Sequence, residues 1–442
     1  MKRLDSFLFA NLLLTAVLAP LAYGTVEDWS IALFELNALL LGMLLAVKFT
    51  VEPSRDWRHW RLAAPLLALV LLGALQLLPL RSGVAAADVW QAAQAWRALS
   101  FDAQATRESV VKLLALLIYF VTALHLLREA PRRRVLLITL TLLGAGTALF
   151  AIVQKLTWNG KFYWVRPASP YIAPFGPYAN YNHFAGMMEL LLPLAFAWLL
   201  FARVKFEQRA LWLFAVILMA AALLYSLSRG GMLALSVELF ALLWLAWRGR
   251  RDETHKGNQP LLIGLTVILI GVFALWIGYD ALLWRFQSLR QGAQEYSVVT
   301  RLEYWRGAAQ MFRDHPVFGV GLGAFPALYP HYGQSSAKLE RLEKAHNDYL
   351  QLLTDAGLLG GLLLIWFGFE LWRQARRQRR RLAEWPSQER ALLLGGYVAL
   401  LGLAVHSFLD FNLQITANAY LCVLVLALVS ASSRRAGSSG QI

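Results

Sequence analysis

Charge is scarce in this chain and cysteine is almost absent. Only 16% of its 442 residues are Asp, Glu, Lys or Arg, where a soluble protein of this size carries nearer a quarter. The one cysteine, Cys422, lies inside an apolar run. That excludes an intrachain disulfide and any cysteine-built metal site, and leaves Cys422 as a small apolar packing residue. The signatures of several chemistries are also missing. There is no Asp-x-Asp pair for a metal-bound nucleotide sugar, no His-Glu-x-x-His and no Gly-x-Ser-x-Gly. Gly319-Val-Gly321-Leu-Gly323 follows no convincing strand and precedes no Lys-Ser or Lys-Thr, so it reads as a tight surface turn rather than a nucleotide loop. A metal, a cofactor or a serine nucleophile is therefore not expected.

Apolar sequence is what the chain has in plenty. It is 58% hydrophobic, with mean hydropathy +0.49. Runs long enough to span a bilayer recur along the whole length. The prediction is an all-α, polytopic membrane protein, a single integral domain over 1–442 with no separate soluble domain. Twelve spans are expected, at about 6–23, 30–49, 62–80, 109–127, 135–154, 182–201, 209–226, 231–247, 261–279, 349–372, 391–408 and 413–431. The first is read as a retained span rather than a signal peptide. With both termini in the cytoplasm, most of the 42 lysines and arginines fall on the cytoplasmic side, as the positive-inside rule requires. The net charge of +15 is then mainly topological, with some contact to anionic lipid, and does not indicate nucleic acid. Residues 280–348 form one large outer loop, close to charge balance. The tail from Ser432 to Ile442 reads as disordered.

The unusual polar residues gather on the predicted outer side. His346-Asn347-Asp348-Tyr349 stands where the large loop enters a span, and imidazole is the side chain best suited to move protons near neutral pH. Asn347 and Asp348 can orient its ring or cap the helix. Within the loop, Thr300-Arg-Leu-Glu303 reads as a capping box, with Leu302, Trp305, Ala309 and Phe312 as the apolar stripe of the helix that follows. Arg301 then lies beside free backbone amides, a setting that favours an anion; a salt-bridged surface arginine is the alternative. Ser226-Leu-Ser228-Arg229-Gly230-Gly231 joins two apolar runs with almost no loop. It puts Arg229 at the membrane boundary, as a phosphate-binding guanidinium or as a snorkelling anchor. Tyr178, Asn182 and His183 sit in an aromatic, amide-rich entry to another span, suited to sugar hydroxyls and equally to interface anchoring. His183 can also pack against Glu189. Glu35, Asn37 and Glu238 lie within spans, as a transporter's polar path would require.

Three of these elements resemble the O-antigen ligase and O-antigen polymerase superfamily of bacterial membrane glycosyltransferases. They are Ser228-Arg229-Gly230, the Arg301-x-x-x-Trp305 helix, and His346-Asn347 followed by Gly357-x-x-Gly360, and they occur in family order. The likeness runs from about the third span to the twelfth. It implies that Arg229, Arg301 and His346 are the residues of activity, with Trp305, Tyr178, Asn182, His183, Asn347 and Asp348 around the substrate. The implied donor is a glycan on undecaprenyl pyrophosphate, transferred without metal at the periplasmic face of the inner membrane and with inversion. The acceptor is lipid A–core in a ligase, the favoured reading, or another lipid-linked repeat in an O-antigen or exopolysaccharide polymerase. A lipid-linked glycan transporter or flippase is the alternative from another class. Relatives that glycosylate proteins often carry an added C-terminal soluble region, and its absence here speaks against protein acceptors. The topology carries a direct test: a reporter fused after Arg290 should be active only in the periplasm, and one fused after Arg379 only in the cytoplasm.

Overall fold

The structure, a computed structural model, describes residues 2–52, 61–82, 96–169, 173–249, 264, 272, 296–333 and 344–431. The predicted span 261–279, much of the large loop and the tail from Ser432 lie outside the described residues. Among them, nine helices are long and apolar enough to cross a membrane: α1 Lys2–Leu21, α2 Asp28–Val51, α4 Ala103–Leu126, α5 Ala130–Leu156, α6 Tyr181–Phe201, α7 Phe206–Tyr225, α8 Arg229–Gly249, α11 Asp348–Arg379 and α12 Ser387–His406. Two further apolar helices are shorter than predicted, α3 Ala63–Gln76 and α13 Thr416–Ala431. In the loop region stand α9 Tyr296–Asp314 and the short α10 Phe325–Leu328. The only sheets among the described residues are two antiparallel pairs, Arg81–Ser82 with Trp96–Arg97 and Lys161–Phe162 with Arg166–Pro167. The all-α, multi-pass reading holds.

Local chemistry sets the helix starts. Asp102 caps α4 by accepting the Ala105 amide at 3.0 Å. Asn180 caps α6 through the Asn182 amide at 2.8 Å. Asn347 caps α11 by accepting from Tyr349 and Leu350, each at 3.0 Å. Each cap satisfies amides that have no partner within the helix. The centre of the bundle is α6, buried along nearly all its length and packed by α5, α7, α8 and α12. At the periphery, Leu33, Leu36 and Ile365 are more than half exposed. Such faces suit lipid rather than water.

The glycine turn is not on the surface. Gly319, Gly321 and Gly323 all have positive φ, at 71°, 112° and 79°, and the segment is buried against a break in α11 at Gly357 (φ 62°, ψ −158°). The amides of Val320 and Gly321 bond the carbonyls of Thr354 and Asp355 at 2.9 and 3.0 Å. The Leu358 amide bonds Pro316 O at 2.7 Å. Gln76 of α3 closes the arrangement, donating to Phe318 O and Asp355 O and accepting the Leu322 amide. The break frees backbone groups inside the bundle, and in an apolar surround those groups need protein partners. The turn supplies them.

The loop helix also departs from expectation. It extends a turn earlier than the capping box, through Thr300, so Arg301 is an interior helical residue and not a neighbour of free amides. Its buried face is Tyr304, Ala308 and Met311, one position off the predicted stripe. Leu302 is exposed and Trp305 half-buried. The packing partners, Phe325, Tyr329 and Ala345, select the tyrosine side of the helix, which the alternation of apolar residues did not.

A methyl group at Gly357 would stand 2.4 Å from Val317 O, and an L-residue in the left-handed region costs roughly 1–2 kcal/mol. Gly357→Ala should therefore lower the thermal midpoint in detergent by several degrees. Gly368→Ala meets nothing within 4 Å and should leave it unchanged or slightly raised.

Candidate active site

The polar residues of the sequence meet at one end of the bundle, where α6, α8 and α11 begin and α12 ends. The connector from α12 to α13 carries the group at their centre, Asp410, which is fully buried. His346 Nδ1 lies 3.4 Å from Asp410 Oδ1, Arg301 Nη2 3.6 Å from Oδ2, and His183 Nε2 3.9 Å from Oδ1. These are ion-pair distances rather than formed hydrogen bonds: Asp410 Oδ2, His346 Nδ1 and His183 Nε2 have no hydrogen-bond partner among the described residues. His346 and Arg301 keep 25% and 28% of their side-chain surface open, so both are reachable from outside while Asp410 is not.

The electrostatics follow. Burial pushes the Asp410 carboxyl up, but His346, His183 and Arg301 outweigh it and hold the carboxyl well below the usual range. Asp410 is thus ionised across working pH. Phe411 presents its ring edgewise to both His183 and His346, with centroids 4.8 Å apart in each pair. Tyr304 of α9 stacks over His346 at 6.1 Å. These contacts fix the ring in one orientation.

His346 is also held in an unfavourable backbone geometry, at φ 51°. Leu227, two residues before Arg229, has φ 61°. Non-glycine residues in this region cost free energy and persist where the surroundings over-determine them, which happens most often at functional sites.

Arg301, His346 and His183 are therefore brought together by the fold. Arg229 enters through its neighbours. Ser228 Oγ donates to Asn182 Oδ1 at 2.7 Å, and a Cβ at Gly230 would meet the His406 ring at 2.4 Å. The remaining candidates make internal bonds. Tyr178 OH donates to Asn418 at 2.8 Å, and Asn347 caps α11. Asp348 Oδ2 accepts from Ser407 Oγ at 3.0 Å and from the Leu413 amide at 3.2 Å, which ties α11 to the connector. Trp305 packs beside Tyr304 and Phe325.

Of the readings open for His183, the structure gives neither a bond to Glu189, which takes His406 at 2.7 Å, nor a cap: His183 turns to Asp410, at 3.9 Å. The sequence reading passed over Asp410. Its signal was the connector itself, where His406, Ser407, Asp410 and Asn412 crowd between two apolar runs. Of the polar residues expected within spans, Asn37 is consumed in hydrogen bonds with Asn11, Thr15 and Tyr119, while Glu238 is fully buried and neither of its carboxyl oxygens is hydrogen-bonded among the described residues. Among the described residues no cluster of His, Cys, Asp and Glu could hold a metal ion.

The fold and this site define a multi-pass membrane protein with a histidine–aspartate–arginine centre at one end of its helices. Residues 214–365 match the family model for O-antigen ligase, which supports the O-antigen ligase and polymerase superfamily and a lipid-linked glycan transferase activity of that type. The matched segment contains Arg229, Arg301 and His346. No curated protein matches the chain.

A depressed carboxyl contributes stability that is present above its unfolded value, about 4, and lost as pH falls through the folded value. Asp410→Asn should therefore destabilise the protein at pH 7 by about 3 kcal/mol, because three positive or protonatable groups lose their partner. The gap to the wild type should narrow toward pH 3. Thermal midpoints at the two pH values check it.

Proposed function

We propose that this protein transfers a glycan from undecaprenyl pyrophosphate to an acceptor hydroxyl at the periplasmic face of the bacterial inner membrane, with lipid A–core as the acceptor. The observation that carries the reading is the meeting of a reachable imidazole and a reachable guanidinium over one buried carboxylate. His346 removes the proton from the acceptor hydroxyl as its oxygen attacks the anomeric carbon. Asp410 stabilises the imidazolium that results. The bond from the anomeric carbon to the pyrophosphate oxygen breaks on the opposite face, which inverts the centre, and undecaprenyl pyrophosphate departs.

Charge grows on the leaving group as that bond breaks. Arg229 and Arg301 face it and neutralise it. Arg301 can serve both partners: a guanidinium has five N–H donors in a fixed fork, and one edge toward Asp410 leaves others for phosphate. A pyrophosphate so neutralised is a good leaving group, and the chemistry calls for no nucleotide, metal or cofactor. Polymerisation onto a second lipid-linked repeat uses the same steps with another acceptor.

The test is transfer by purified protein from a lipid-linked glycan to lipid A–core, or to more lipid-linked repeat, with products resolved by gel. A ligase extends lipid A–core; a polymerase extends only the lipid-linked repeat. His346→Ala should lower the rate by at least 100-fold with donor binding retained, because the arginines hold the pyrophosphate. Arg229→Lys keeps the charge but loses the two-pronged geometry, and should lower the rate at normal expression. Substantial transfer by His346→Ala at saturating substrate would remove the imidazole from the chemistry.

A further inference from the structure

Behind the Asp410 centre lies a second pair of ionisable side chains that the transfer chemistry does not use. His406 Nδ1 and Glu189 Oε1 are 2.7 Å apart, with 1% and 0% of their side-chain surfaces exposed. Glu189 comes from the third turn of α6, and His406 is the last residue of α12. Their meeting requires space at the start of α8. A Cβ at Gly230 would lie 2.4 Å from His406 Nε2, and one at Gly231 would lie 2.7 Å from the Ala185 Cβ and 3.3 Å from Glu189 Oε1. The two glycines after Arg229 are thus the floor on which the pair rests.

The pair also governs the connector. The amides of Leu409 and Asp410 both bond His406 O, at 2.8 and 3.0 Å, so the turn that aims Asp410 is built directly on His406. At the next residue, Ser407, the Asp348 amide bonds the carbonyl at 2.9 Å and the Ser407 hydroxyl bonds Asp348 Oδ2. Asn412 is held further on, its Oδ1 accepting from Asn418 at 3.3 Å. Loss of the Glu189 contact would leave His406 as a buried polar ring without its carboxyl partner, and such a group shifts to find water or another partner. A shift that reaches the His406 backbone carries Asp410 with it, because both amides bond its carbonyl.

We propose that Glu189 and His406 are positioning residues for the transfer reaction, a buried bracket between α6, α8 and α12 that sets the aim of Asp410 and through it the ring of His346. The inference rests on the glycosyl-transfer reading for its kinetic consequence, but its geometric consequence is independent of that reading. A displacement of about an ångström at a catalytic group costs on the order of 100-fold in rate, so Glu189→Leu should lower kcat by roughly that factor while the KM for the lipid-linked donor changes little. Glu189→Gln keeps an acceptor oxygen for His406 and should recover most of the loss.

The deciding measurement needs no turnover. The rate at which diethyl pyrocarbonate modifies His346, read by peptide mass spectrometry on the full-length protein in detergent, reports how firmly Asp410 holds the ring. Glu189→Leu should raise that rate several-fold, Asp410→Asn should raise it by a similar factor, and Glu189→Leu/Asp410→Asn should show no further increase. Glu189→Gln should stay near the wild type. A wild-type rate in Glu189→Leu overturns the proposal, as does a double variant in which the two effects multiply. Should Glu189→Leu not fold, His406→Asn is read in the same way, with the same two outcomes. If modification behaves as expected while neither Glu189→Leu nor Asp410→Asn alters transfer, the bracket stands and the catalytic reading fails.

Discussion

Asp410 is a carboxylate without access to water, and much of the site's arrangement answers to that fact. A buried charge is tolerable only with opposite charge or donors close by. The protein brings them from three directions: His183 on α6, Arg301 on α9 and His346 at the head of α11. Each of the last two is a quarter open to the outside. The imidazole of His346 and the guanidinium of Arg301 are both drawn toward this one carboxylate, at 3.4 and 3.6 Å.

The same economy governs the backbone. A helix broken inside an apolar bundle leaves carbonyls and amides that nothing in the surround can satisfy. The break at Gly357 is tolerated because the glycine turn 319–323 and Gln76 bond the freed groups. The break in turn gives the loop segment a place to dock. Helix α9, carrying Arg301, leads into that segment and packs against α11, so the distance from Arg301 to Asp410 is set partly by the hydrogen bonds that seat the turn.

The fold was legible because length and apolarity alone decide what can cross a membrane. Helix positions were read closely except where polar interactions trim the ends, as at α3. His346 stood out from its setting between polar loop and apolar run, whereas Arg301 was singled out for free amides that the longer helix does not leave beside it. Asp410 was not, because its importance lies in three partners up to 227 residues away in the chain, and the polar crowding of the nine-residue connector 407–415 does not name them. The misread stripe on α9 has a similar origin: periodicity tells which face of a helix is buried only when the neighbouring element is known. The glycines of the Ser-Arg-Gly-Gly element make room for His406 and Glu189.

The order of residues along the chain has a consequence for how the protein is made. Arg229, Arg301 and His346 leave the ribosome well before Asp410, which arrives only after α12 has entered the bilayer. Until then His183 and Arg301 have no carboxylate to meet, and the connector that anchors Asp348 does not exist. Biogenesis therefore withholds this arrangement until nearly every span is inserted, and a partly inserted chain lacks the aspartate that His183, Arg301 and His346 meet.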